Sequence, residues 1–199
     1  MRHIKFIATI ACVNAFLICF CTSHQKQDKV EQVKLTQDKT ITIDTTKDKT
    51  VQSADTVFGF MKSESIGSVK IGLNGESLMQ ILGRPDSMGA IQMSEASGAY
   101  IQNWDYNKIG IKFEMESHDS LGSKRVSSIE IASPCTLSTK KGIKIGSTLD
   151  EVKKEYGEHQ DKENSDEKSS FVAGSIYGGI IFTIEAGKVN KIFIGASAE

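Results

Sequence analysis

Cysteine is nearly missing from the body of this chain. Of its four cysteines, Cys12, Cys19 and Cys21 crowd the first twenty-one residues, and only Cys135 lies beyond them. No disulfide can form within that body, so its fold must hold by its core. Clustered basic charge is missing too. The 24 Lys and Arg are dispersed among 25 Asp and Glu, which excludes the electrostatic footprint of a nucleic-acid binder. His-Glu-x-x-His, Gly-x-Ser-x-Gly and phosphate-loop patterns do not occur, so no metalloprotease, hydrolase or nucleotide signature is present. From Thr22 to Thr56 there is neither an aromatic residue nor a glycine. Such a stretch cannot bury enough apolar surface to offset the entropy of ordering it, and reads as a disordered polar tether.

What precedes that stretch is equally informative. Arg2 and Lys5 give a positive start, and Phe6–Phe20 is uncharged but too short for a comfortable membrane span. Residues 1–21 therefore read as a secretory signal, with a retained anchor as the alternative. The run ends "LICFCTS", which resembles a bacterial lipobox. Cys21 is the candidate for lipidation and Cys19 the second; Phe20 is larger than a lipobox prefers, and plain cleavage is the other reading. A lipid on Cys21 would place the chain in a bacterial envelope, facing the periplasm or the cell surface. The tether 22–56 would lift the domain off the membrane. Without Arg2 and Lys5 the formal charge falls from −1 to −3.

The body, 57–199, holds all four tyrosines, the tryptophan and six of the nine phenylalanines. It says one thing twice. "SVKIGLNGESLMQILGRP" (68–85) and "KGIKIGSTLDEVKKEYG" (141–157) align Ile71-Gly72 with Ile145-Gly146, and each places a glycine eleven residues later, Gly83 and Gly157. Thr148 and Glu151 have capping-box spacing. Leu149, Val152 and Tyr156 make a helical stripe, which Gly157 would close with positive φ. In the first copy Asn74 caps, Leu78, Ile81 and Leu82 form the stripe, and Gly83 with Pro85 stops the helix. Each helix is followed by alternating strands. A two-residue turn at Asn107-Lys108 would pair Tyr106 with Ile109 and Trp104 with Ile111. "RVSSIEI" would set Ile129 and Ile131 beside Phe113 and Ile111, with Lys112 opposite Glu130. In the second copy a hairpin at Gly178-Gly179 and a three-residue loop, Ala186 to Lys188, would pair Phe182 with Ile192 and Ile180 with Ile194. The expected fold class is α+β: two tandem repeats, 57–134 and 135–199, each a short helix followed by a three-stranded antiparallel meander.

The "Ile-Gly, short capped helix, Gly" opening resembles that of the SmpA/OmlA (BamE-like) modules. Two such modules in tandem are similar to the β-lactamase inhibitor protein fold. The resemblance covers about 70–199. It implies a non-catalytic, envelope-anchored or secreted protein-binding domain with no cofactor, although the family's paired cysteines are absent here.

Other patterns invite chemistry, each with a plainer reading. Glu114, Glu116 and His118 alternate along a strand and have metal-ligand character, but read equally as a wet strand face. Ser138 to Lys141 and Ser165 to Lys168 match Ser-x-x-Lys without its companion elements. Cys135 with His118 or His159 is a formal Cys–His pair, or Cys135 is a packed side chain. Trp104 and Tyr106 are ligand-binding aromatics or core. Residues 158–170 are a solvated loop or a binding loop. The partner-binding expectation falls on Val172, Ile176, Ile181 and Phe193, four apolar side chains on the sheet face turned away from the helix, either docking an envelope or secreted protein or covered by another part of the chain. A small ligand or cell-wall fragment held in the cleft between repeats is the alternative function.

Overall fold

Alternation and two capped helices account for most of the architecture. The computed structural model describes residues 54–166 and 168–197. The expected signal, Cys21 and the tether up to residue 53 lie outside the described residues. The elements run α1 (Ala54–Ser63), α2 (Gly75–Leu82), β1 (Ser87–Met88), β2 (Gln92–Met93), β3 (Tyr100–Tyr106), β4 (Ile111–Ser117), β5 (Arg125–Ala132), α3 (Leu149–Tyr156), β6 (Ser170–Ala173), β7 (Gly179–Glu185) and β8 (Lys188–Gly195). The fold is α+β, with one antiparallel sheet of eight strands in the order β1-β3-β4-β5-β8-β7-β6, and β2 also paired to β3. The strands β5 and β8 pair at its centre.

Both α2 and α3 begin as their caps require. The Asn74 side chain accepts from the Ser77 N–H at 2.8 Å. Thr148 Oγ1 accepts from the Glu151 N–H at 3.2 Å, and Glu151 Oε2 accepts from the Thr148 N–H at 2.7 Å. That backbone bond is the main reason the Glu151 carboxyl sits below its ordinary range. Leu78, Val152 and Tyr156 are fully buried and join one cluster with Phe113, Ile129 and Phe182. Met61 of α1 joins the same cluster. All three helices thus pack on one face of the sheet, and among the described residues the opposite face carries no helix.

The α1 helix begins three residues inside the stretch read as tether, and it packs against β7. The Phe60 ring meets the Tyr156 ring edge-on, with centroids 6.5 Å apart. The chain preceding α2 is therefore folded onto elements far along the sequence.

Several local expectations shift. The β3–β4 connection is a 3-10 turn, Asn107–Ile109, closed by Gly110 at φ 67°. Tyr106 therefore pairs with Ile111 and Trp104 with Phe113. The slip is two residues, so every side chain keeps its face. Ala186 and Gly187, at φ 50° and 76°, make a two-residue turn in which Glu185 pairs with Lys188. A one-residue irregularity at Asn190 then restores the pairs Phe182–Ile192 and Ile180–Ile194. Gly157 sits at φ −58° because the chain runs on into a 3-10 turn. Ile81 is 44% exposed, on the flank of α2. The edges of the sheet are managed. The strands β1 and β2 cover β3, while Gln160 to Asp166 runs beside β6, with the Asp161 N–H bonded to the Val172 carbonyl at 2.9 Å.

Candidate functional site

On the helix-free face, one row of side chains crosses the sheet. Strand register sets Val172 beside Ile181, Ile181 beside Phe193, Phe193 beside Glu130, Glu130 beside Lys112, and Lys112 beside Asp105. One half of the row is apolar and the other alternates in charge. Lys112 reaches Asp105 at 4.0 Å, and Glu130 is held by Lys191 at 3.4 Å. Of the four residues expected to bind a partner, Ile181 and Phe193 lie side by side and are half-buried. Val172 completes the row but is only 2% exposed. Its N–H donates to Ser165 Oγ at 3.0 Å, so the loop along β6 closes that end. Ile176 lies in the β6–β7 turn, where its carbonyl accepts from the Ser197 N–H at 2.8 Å. The register difference takes it out of the row, because β6 ends at Ala173.

Beside this row, along β3, β4 and β5, lies a groove of about 470 Å³ lined both by outward-facing residues of those strands and by Met61 and Lys62 of α1. A second row floors it: Ile101 pairs with Glu116, and Glu116 with Arg125. The end of α1, the Ile71-Gly72 turn and Ser94 and Ser97 wall it. The sequence signal for it was the alternation of Glu114, Glu116 and His118, all three of which line it. Among the described residues no group of three His, Cys, Asp or Glu side chains converges as a metal site.

The remaining candidates fall to structural roles. Lys141 Nζ donates to the Glu155 carbonyl at 2.7 Å and lies 4.9 Å from the centre of the Tyr156 ring, so it serves the α3 end and not Ser138. Ser165 Oγ donates to the Asp161 carbonyl at 2.6 Å and staples the loop 158–170, whose Asp161 and Asp166 carboxylates accept local N–H groups. Cys135 sits in the core, where burial pushes its thiol up, away from a reactive thiolate. His159 packs instead on Phe60, centroids 4.6 Å apart. Trp104 and Tyr106 are buried, donating to Gln102 Oε1 and the Gly83 carbonyl, each at 3.0 Å. Among the described residues no helix is long and apolar enough to cross a membrane. No family model, curated protein or solved structure matches this chain, so its work has to be read from this face and this groove.

Proposed function

We propose that this chain is a non-catalytic binding module of a bacterial envelope, tethered through Cys21, and that it holds a protein partner against the helix-free face of its sheet. The observation that carries the reading is the pair Ile181 and Phe193, half-buried side by side on a sheet face without a helix and continued by Glu130, Lys112 and Asp105. Apolar side chains bordered by charges have the composition of an interface core and its rim.

The reading includes two related halves, and paired hydrogen bonds support it. The Gly72 N–H reaches the Val126 carbonyl at 2.8 Å, and the Gly146 N–H the Val189 carbonyl at 2.7 Å. Both glycines have positive φ, at 84° and 89°. Strand irregularities recur at Ser127 and Asn190, after Glu114 and Thr183. At the centre, Ile129 pairs with Ile194 and Ile131 with Ile192, so exchanging the halves exchanges the pairs. Under that exchange Asp105, Lys112 and Glu130 answer to Val172, Ile181 and Phe193. The first half keeps the face wet and the second makes it apolar, a difference that core packing does not require. The resemblance of the "Ile-Gly, capped helix, Gly" segments to BamE-like modules agrees with this reading.

Ile181→Asp tests the face. We expect a folded protein with a thermal midpoint within ~5 °C of the parent, a change of ~1 kcal/mol at this size, and loss of partner crosslinks in the native envelope. Ile180→Asp, one residue earlier and fully buried, should unfold it. Collapse of both variants would show the face to be internal, and a folded Ile181→Asp with unchanged crosslinks would remove it as a docking surface. The anchor has its own test. Cys21→Ser should abolish labelling by a fatty-acid analogue while Cys19→Ser leaves it; the reverse pattern would move the site.

A further inference from the structure

We propose that the groove over β3–β5 is a separate binding site for a small zwitterion, a free amino acid or a short peptide. The proposal rests on how charges are left in the groove and draws nothing from the apolar pair Ile181 and Phe193. Glu116 and Arg125 are direct cross-strand neighbours, the placement in which opposite charges ordinarily pair. They form no ion pair. Arg125 turns one Nη1–H to the Gly72 carbonyl at 3.2 Å, which leaves its remaining donors and the Glu116 carboxylate unspent among the described residues. Lys62 adds a second cation at the wall. Glu114 adds a second carboxylate, held by Ser127 Oγ at 3.0 Å. The lining therefore carries two charges of each sign, none neutralised across the groove.

That pattern discriminates between ligand classes. A phosphate or dicarboxylate would meet Glu114 and Glu116, and a polyamine would meet Lys62 and Arg125. No Trp, Tyr or Phe lines the groove to stack a sugar ring. A molecule bearing one carboxylate and one ammonium group satisfies both signs, its carboxylate on the guanidinium fork of Arg125 and its ammonium on Glu116. Ser94, Ser97 and Ser128 supply hydroxyls for the remaining polar atoms. The volume of about 470 Å³ falls within the ~300–1,000 Å³ of small-molecule clefts.

Amide shift mapping on the isotopically labelled protein tests this with three probes: the standard amino acids one at a time, triglycine, and the uncharged N-acetylglycine methylamide. We expect saturable shifts, confined to residues 94–101 and 114–128, with at least one charged probe. Saturation by a free amino acid alone, or by triglycine alone, identifies the source. Glu116→Gln and Arg125→Gln, both changes of exposed side chains, should each weaken the saturating probe ~10-fold or more, the loss of one charge-assisted contact. Either absence of saturation by every charged probe, equal binding of the uncharged amide, or variants that bind like the parent would overturn the proposal.

Discussion

Gly110→Ala should destabilise the domain by ~3 kcal/mol or more, among the largest effects of any single methyl group in this protein. Two penalties coincide there. Gly110 sits at φ 67°, in the left-handed region that a Cβ disfavours. The added Cβ would also collide with the Ala132 carbonyl oxygen and lie 2.8 Å from both the Pro134 and Cys135 nitrogens. Those are backbone atoms and cannot swing aside as a side chain would. The Gly110 carbonyl further accepts the Ala132 N–H at 3.0 Å, so a local shift breaks the join between the β3–β4 turn and the end of β5. Gly72→Ala is the matched control: φ 84° but open space around the new Cβ, with an expected cost of only ~1 kcal/mol. Chemical denaturation of the two variants, with equal slopes, separates conformational strain from steric exclusion. Equal losses would show that the close approach at Gly110 relaxes freely.

The clash at Gly110 marks where pattern reading stops. Alternation in "YIQNWDY" and "IKFEMES" was enough to assign faces, because burial requires one face only and a two-residue slip preserves it. It was not enough to set the register, which depends on how the turn closes. Gly110 takes the left-handed position at the end of a 3-10 turn, a choice governed by atoms of Ala132 and Pro134 far along the chain. The caps at Asn74 and Thr148 were legible because they satisfy N–H groups within four residues. Gly157 was misread for the opposite reason: a glycine is free to end a helix with positive φ but not compelled to, and here the chain continues. Ile181 and Phe193 were placed side by side correctly, since both belong to strands with long pairing partners. Ile176 was not, because β6 stops at Ala173 and the residue falls into a turn that no periodicity marks. The groove was half legible. Glu114, Glu116 and His118 announced a shared face, but Arg125 and Lys62 arrive from elements distant in sequence. The least legible contact is the docking of α1. "VFGFMKS" carries an apolar signal, yet nothing local says that it packs beside α3.

That contact sets the second large expectation, at Tyr156. The side chain is fully buried, its ring 5.1 Å from that of Phe182 and edge-on to Phe60. Its hydroxyl donates to Glu64 Oε2 at 3.1 Å, and Glu64 is itself 3% exposed just beyond α1. Tyr156→Ala should cost ~3–5 kcal/mol through the lost ring and the cavity it leaves, and should loosen α1 as well as α3. Tyr156→Phe keeps the ring and removes one hydrogen bond. It leaves a buried carboxylate oxygen without that donor, for ~1–3 kcal/mol. Alkaline pH provides an independent readout. Burial, before any other cause, raises the Tyr156 hydroxyl above its ordinary 10.0, so the folded protein retains a proton that the unfolded chain gives up. Above pH 10 the unfolded state binds fewer protons than the native one, and stability must fall as pH rises. The contribution is complete below pH 10 and is lost on the way to the raised folded value. Tyr106, also raised by burial, contributes to this fall in every variant, so the comparison isolates Tyr156. The parent should therefore lose stability between pH 9 and pH 11.5 more steeply than Tyr156→Phe, measured by denaturant midpoints at fixed ionic strength. Parallel curves would mean that the Tyr156 hydroxyl reaches solvent and that α1 does not seal it.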